Sequence, residues 1–417
     1  MTAAQWVSIT IAALAMLGVI ARPFRLPEAV WAVAGACLLV LFGALSPAKA
    51  LEAVGKGTDV YLFLIGMMLL AEIARAQGLF GWLAGRAVAY AKGSPRRLFA
   101  LVYAVGTVVT VFLSNDATAV VLTPAVYAAA KAAKSKPLPY LFVCAFIANA
   151  ASFVLPISNP ANLVVFGAHM PSLSNWLARY ALPSLLSIVA TFIALRILLR
   201  GSLQGECATE VRPPPLGQAA TIASSGIAVT AVVLMAASSM QMSLGLPTFI
   251  AALLTFGAVL LLNDESPFPY LRHISFAIVP LVAGLFTIVE ALDANGLLAS
   301  LSAGFVRLTQ GSVTEGAWLG GGFVAIVSNL ANNLPIGLLA GATLQSAQLP
   351  DRVADAVLIG VDLGPNLSVT GSLATILWLA ALRREGQFVG AWTFLRLGCV
   401  AMPLAFVAAL SGSMLAG

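Results

Sequence analysis

The sequence predicts an all-α polytopic membrane protein of two inverted repeats, with about ten transmembrane helices, two re-entrant hairpins and two discontinuous helices. Three observations lead there. Of the 417 residues, 60% are hydrophobic and only 9% charged, against about 25% charged in a soluble domain, so no water-exposed fold could hide the apolar surface. Apolar stretches of about 20 residues, the length that spans a bilayer core, recur from one end to the other. The second half also echoes the first at an offset of about 218 residues: Glu72, Gly78, Leu79 and Gly93-Ser94 return as Glu290, Gly296, Leu297 and Gly311-Ser312, which marks an internal duplication.

Residues 1–200 form the first repeat, with spans expected near 4–21, 28–45, 58–76, 138–168 and 175–199. The stretch at 4–21 lacks a basic n-region and an obvious cleavage site, so it reads as a span and not as a signal peptide. A polar, Pro-rich linker, 201–217, precedes the second repeat, 218–417, with spans near 219–238, 247–262, 275–293, 352–382 and 389–412. Between the third and fourth span of each half lie an amphipathic piece, 79–91 or 297–309, and an apolar run broken at its middle. The run 98–131 is interrupted at Ser114-Asn115-Asp116-Ala117-Thr118, and 315–346 at Ser328-Asn329 and Asn332-Asn333-Leu334-Pro335. Each run fits a hairpin that dips into the membrane and returns. The fourth spans, 138–168 and 352–382, are themselves broken by Pro, Asn, Ser and Gly and are expected to be discontinuous helices.

Five crossings per half, an odd number, turn the second half upside down. With the N-terminus outside, the cytoplasmic segments hold Arg22, Arg25, Arg75, Arg86, Lys92, Arg96, Arg97, Lys131, Lys134, Lys136, Arg196, Arg200, Arg212, Arg272, Arg383 and Arg384, and the opposite side only Lys49, Lys56, Arg307 and Arg352. Sixteen against four obeys the positive-inside rule and places both termini periplasmic in a bacterial inner membrane. The formal charge of +6 therefore reports topology, and no nucleic-acid motif is present.

Polar side chains and broken backbone at membrane depth are tolerated where they line a cavity or are buried in protein. Four stretches qualify: 114–118, 328–335, 155–162 and 362–372. Each break exposes helix ends whose free N–H and C=O groups bind without formal charge. The expected substrate-binding residues are Asn115, Thr118, Asn159, Asn162, Asn332, Asn333, Thr370 and Ser372, suited to a small hydroxylated solute or a dehydrated cation. Desolvation favours the protonated carboxyl, which makes Asp116 the expected proton-coupling group and Asp362 the second carrier. Glu72 and Glu290, near span ends, are expected to face an interface or to pair, Glu72 with Arg75.

No Lys or Arg lies in the four polar stretches, which disfavours a bulky carboxylate. Cys37, Cys144, Cys207 and Cys399 lie too far apart in sequence for a disulfide framework or a metal cluster, and no cofactor is assigned. No Gly-rich phosphate loop is present, so the energy comes from an ion gradient or a separate subunit. Paired hairpins and broken helices imply alternating access in a secondary transporter and not an open pore or an enzyme.

At these same residues the chain resembles the ArsB arsenite/antimonite efflux permeases of the ion transporter superfamily, over nearly its full length. The most specific stretch runs from Gly360-Val361-Asp362-Leu363-Gly364-Pro365-Asn366 through Gly371-Ser372-Leu373-Ala374-Thr375-Ile376-Leu377-Trp378-Leu379; Asn115-Asp116, Ala145-Phe146-Ile147-Ala148 with Ser158-Asn159, and Asn332-Asn333-Leu334-Pro335 add to it. The resemblance implies trivalent arsenic and antimony hydroxides as substrates, extruded in exchange for protons, optionally with a soluble arsenical pump ATPase as partner. Asn149 and Asn366 stand where that family often carries an acidic and a basic residue. A sodium/proton antiporter of the same superfamily is the alternative, and a carboxylate carrier the third reading.

Overall fold

A computed structural model describes residues 3–208 and 215–416, and every regular element among them is helical. Residues 209–214 of the expected linker, Arg212 included, lie outside the described residues. The first half comprises α1 (Ala3–Ala21), α2 (Glu28–Leu41), α3 (Pro47–Lys56), α4 (Thr58–Ala76), α5 (Leu79–Ala91), α6 (Pro95–Leu113), α7 (Asn115–Ala117), α8 (Thr123–Ala132), α9 (Leu138–Ala150), α10 (Pro160–Phe166) and α11 (Leu173–Leu198). The second comprises α12 (Gln218–Ser239), α13 (Gly245–Asn263), α14 (Phe268–Leu271), α15 (Ile278–Ala294), α16 (Leu297–Thr309), α17 (Val313–Ala331), α18 (Asn333–Ala347), α19 (Asp351–Leu363), α20 (Leu373–Arg384) and α21 (Ala391–Ala416).

The halves match element for element. α5 and α16 have 13 residues each, α6 and α17 have 19, α9 and α19 have 13, and α11 and α21 have 26. Ser94 and Ser312 cap α6 and α17, accepting from the N–H three residues on, as serine does at an N-cap. Gly78 and Gly296 make the turns before α5 and α16 at the same φ of 76°, a left-handed conformation that glycine takes without steric cost.

Among the described residues, five helices are by themselves long and apolar enough to cross a bilayer, and up to seven if each of two bent pairs counts as one span. The five are α6, α11, α12, α13 and α21; the bent pairs are α3 with α4 and α15 with α16. A count of ten crossings leaves out α6, an arm of the first hairpin, and takes the other four long helices, the two bent pairs, the shorter apolar helices α1 and α2, and the two broken helices, α9 with α10 and α19 with α20. Length decides this, because polar breaks divide each discontinuous span into pieces that cannot reach across about 30 Å alone.

Packing interlocks the halves. α4 lies against α13, and its duplicate α15 lies against α2, so each half embraces a helix of the other. A glycine sits at both crossings: a Cβ on Gly66 would meet Thr248 at 2.9 Å, and one on Gly284 would meet the Ala32 backbone at 2.7 Å. These glycines are 218 positions apart, and small residues let membrane helices approach this closely. A second group gathers the hairpins and broken helices, with α11 against α21, α17 against α19, α6 against α9 and α10 against α18. Buried Trp176 and Trp378 satisfy their indole N–H groups on the carbonyls of Phe153 and Leu141.

Candidate functional site

Both hairpins turn at a residue with positive φ. α6 ends at Ser114 (φ 121°) and α17 at Asn332 (φ 67°); holding a non-glycine residue there costs about 1–3 kcal/mol, which the surrounding packing must offset. The turn residue also caps the returning arm: Ser114 Oγ accepts from the Ala117 N–H at 3.4 Å and Asn332 Oδ1 from the Leu334 N–H at 3.2 Å. Asn115 and Asn333 thus become the first residues of the returning helices. In the broken helices the same job falls to Asn159, which accepts from the Ala161 N–H and starts α10, and to Ser372, which accepts from the Thr375 N–H and starts α20.

These four helix starts converge. One cavity is lined by Asn115, Asp116, Asn159, Pro160, Asn332, Asn333, Leu334, Pro335, Leu373 and Ala374, with Val19, Glu28, Leu64, Ile278, Leu281 and Leu285 as its remaining wall. Its volume is about 30 Å³, room for one or two water molecules at about 10–15 Å³ each. Each converging N-terminus carries about half a positive elementary charge at its free N–H groups. The cavity is therefore rich in N–H donors without any Lys or Arg on its wall, and Asp116 and Glu28 are its two carboxylates.

Of the ten expected residues, the cavity brings together Asn115, Asp116, Asn159, Asn332 and Asn333. The other five support it from behind. Thr118 is buried, its hydroxyl 2.8 Å from that of Thr110, and Asn162 donates to the carbonyls of Ser152, Leu155 and Pro156 across the first break. Thr370 donates to the Asn329 carbonyl, and Ser372 caps α20. Asp362 is fully buried off the cavity wall and accepts from Asn159 Nδ2 at 2.7 Å, so the amide at the cavity edge is tied to the buried carboxylate of the other half.

The second hairpin is bound to its break more firmly than the first. The Asn333 N–H donates to the Gly371 carbonyl, Asn329 Nδ2 donates to the Gly364 carbonyl at 2.6 Å, and Ser368 and Thr370 donate to the Asn329 carbonyl. At the first hairpin the corresponding tie is Ser158 Oγ donating to the Val111 carbonyl.

A second cavity of about 620 Å³ lies one helical turn further along the same helices. Its inner end is lined by Val60, Leu163, Phe286 and Leu338, and its mouth by Lys56, Glu290 and Asp293. Leu64, Pro160, Leu285 and Leu334 of the small cavity sit three to four residues, or a single step, from those inner positions, so the large space is a vestibule to the hairpin tips. Lys56 and Glu290 pair at its mouth at 2.8 Å. Glu72 pairs with Arg75, with His273 at 3.5 Å.

The family described as CitMHS, citrate transporter, matches residues 12–382, nearly the whole of both halves. The chain belongs to the CitMHS family. It is a multi-pass membrane transporter and not an enzyme. This CitMHS member is similar to an arsenical pump membrane protein of Escherichia coli K12, with 26% identity over 397 residues covering 90% of this chain and 91% of the other. It is 25% identical to a protein of Mycobacterium tuberculosis H37Rv named as an uncharacterised transporter, with 83% of each chain covered. Its fold is that of the Alcanivorax borkumensis YdaH transporter, with a TM-score of 0.58, 14% identity, and 88% of this chain and 86% of that chain covered.

Two features of this CitMHS site escape sequence reasoning, and a third joins the two positions, 149 and 366, that the resemblance sets apart. Glu28 stands on the cavity wall, although its place at the start of an apolar span reads as an ordinary membrane-edge charge. The returning arm of the first hairpin is wound as a π-helix over Thr118–Leu122, a conformation that often marks functional sites; Pro124, which has no N–H to give, is its one sequence signal. Asn149 Nδ2 donates to Asn366 Oδ1 at 2.9 Å, joining the two broken helices through an uncharged pair.

Proposed function

We propose that this transporter extrudes trivalent arsenic and antimony hydroxides across the bacterial inner membrane in exchange for protons, with or without a soluble arsenical pump ATPase. The observation that carries the reading is the convergence of four helix N-termini and four amides around one tip carboxylate, with no cationic side chain on the wall. A trihydroxide such as As(OH)3 is neutral near pH 7. Its oxygens accept from the N–H groups, while one hydroxyl donates to Asp116. The likeness to the arsenical pump membrane protein supports the same substrate class.

In this reading Asn115, Asn159, Asn332 and Asn333 hold the solute, with Thr118, Asn162, Thr370 and Ser372 fixing the backbone that presents them. Asp116 exchanges the proton, and Asp362 is the second carrier. Residues 1–200 and 218–417 are the inverted repeats, joined by a cytoplasmic linker at 201–217, and both termini are periplasmic. Protonation couples to transport only if it changes affinity for the solute, because a ligand bound equally by both states shifts neither.

Carboxylate uptake is the second reading, favoured by the electropositive helix starts and by the family's description. The same helix starts disfavour a dehydrated Na+, which needs carbonyl ends. Everted vesicles loaded acid inside decide among them. Arsenite and antimonite are expected to accumulate and to be released by a protonophore, while citrate and Na+ are not. Accumulation of Na+ without arsenite, or of citrate by right-side-out vesicles with acid outside when the everted ones take up no arsenite, would contradict the proposal.

A further inference from the structure

The small cavity has two ends, and they differ. On one side its wall residues Leu64, Pro160 and Leu334 lie about one helical turn from Val60, Leu163 and Leu338 of the 620 Å³ vestibule. At its other end the wall is Val19 and Glu28, and there Glu28 forms an ion pair with Arg22. Both side chains are largely enclosed, 18% exposed for Glu28 and 31% for Arg22, and Arg22 Nε is buried without a partner. The turn that presents Arg22 is wound unfavourably: Arg22 has φ 46° and Phe24 φ 58°, left-handed conformations that side chains with a Cβ avoid. Arginine and phenylalanine gain nothing from that backbone by themselves. A left-handed turn held in place next to a binding cavity marks a segment with a task.

We propose that the Arg22–Glu28 pair closes the narrow mouth of the transport cavity, and that the solute passes between these two side chains in the other half of the cycle. The pair is built for that task. A buried arginine–carboxylate contact blocks water-sized passage while it is made. Parting releases two charges that water entering the mouth can solvate, so the barrier falls as the path opens. The vestibule on the opposite side is then the path already open. Neither group need touch the solute when the mouth is shut, which is why the pair can be altered without removing the amides and the tip carboxylate. The inference rests on the reading of this cavity as the transport path but not on the identity of the solute.

The test is thiol accessibility in membrane vesicles. In a chain with its four cysteines changed to Ser, Leu334→Cys places a thiol on the cavity wall, and a membrane-impermeant maleimide is applied to right-side-out and everted vesicles. The parent should label mainly from the vestibule face. Glu28→Gln and Arg22→Gln should each raise labelling from the narrow face at least fivefold, with vestibule-face labelling within twofold as the control for folding. Exchanging the charges, Arg22→Glu with Glu28→Arg, should return narrow-face labelling towards the parent. Narrow-face labelling that is unchanged in both single variants would overturn the proposal, whatever solute the vesicles prove to carry.

Discussion

Asn115 and Asn333 both open the returning arms of their hairpins, so Asp116 stands where the duplicated hairpin has Leu334, and both line the same cavity. The pocket is thus pseudo-symmetric in backbone but not in charge, with an amide at each tip and one titratable side chain, Asp116, matched by the apolar Leu334. Asp362 has a different part, since it touches the cavity only through Asn159. Asn159→Ala should therefore act in two ways. It removes a donor from the cavity, and it leaves a fully buried carboxylate short of a hydrogen bond, at a cost of about 1–3 kcal/mol, seen as a lower melting temperature in detergent. Trivalent arsenic favours sulfur, yet the cysteines are scattered, with Cys37 and Cys399 exposed and Cys144 and Cys207 buried. Replacing all four with Ser should leave arsenite transport intact; its loss at unchanged expression would implicate a thiol. The tip amides and Asp116 were legible in the sequence because they interrupt apolar runs where bare polarity is costly. Glu28 was not, because a charge at the edge of a span has an ordinary explanation, and only the tertiary fold shows what it faces.

Among the elements, the hairpins and broken helices were the clearest in the sequence, since each polar break falls within an apolar run too long or too interrupted for one span. The pairing of α4 with α13 and of α15 with α2 was hidden, because helices that are apolar all round carry no marked face. The glycines at those crossings give a test. Gly66→Val or Gly284→Val would force a side chain into space occupied by the facing helix, and overpacking of this kind costs about 1–3 kcal/mol. Either should lower thermal stability in detergent, and the same change at Gly81, where a Cβ meets nothing within 4 Å, should not. A second element-scale test concerns α11 and α19. Arg179 pairs with Asp355, which also accepts from the Tyr180 hydroxyl, and the Asp355 side chain is only 8% exposed. Asp355→Ala leaves the Arg179 guanidinium only the exposed Asp351, 3.3 Å away, and the buried Tyr180 hydroxyl without its acceptor, and should destabilise the protein by about 1–3 kcal/mol.

For the whole molecule, the duplication ties sequence to architecture. Helix lengths match between the halves, and the two left-handed glycines before α5 and α16 and the two crossing glycines recur at one offset. In the proposed orientation the excess of basic residues lies on the cytoplasmic loops. Reporter fusions should place both termini on the periplasmic side and residue 205 in the cytoplasm; termini on opposite sides would exclude an even number of crossings. What the sequence could not convey is the unequal size of the two approaches to the tips, because cavity volume depends on how the two packed groups sit against each other. The central claim is that the tip carboxylate couples protons to the export of an arsenic hydroxide. The most direct measurement is arsenite transport by Asp116→Asn in proteoliposomes under an imposed proton gradient. The variant should lose concentrative accumulation while keeping some downhill arsenite exchange, and a variant that still concentrates arsenite against its gradient would contradict the account.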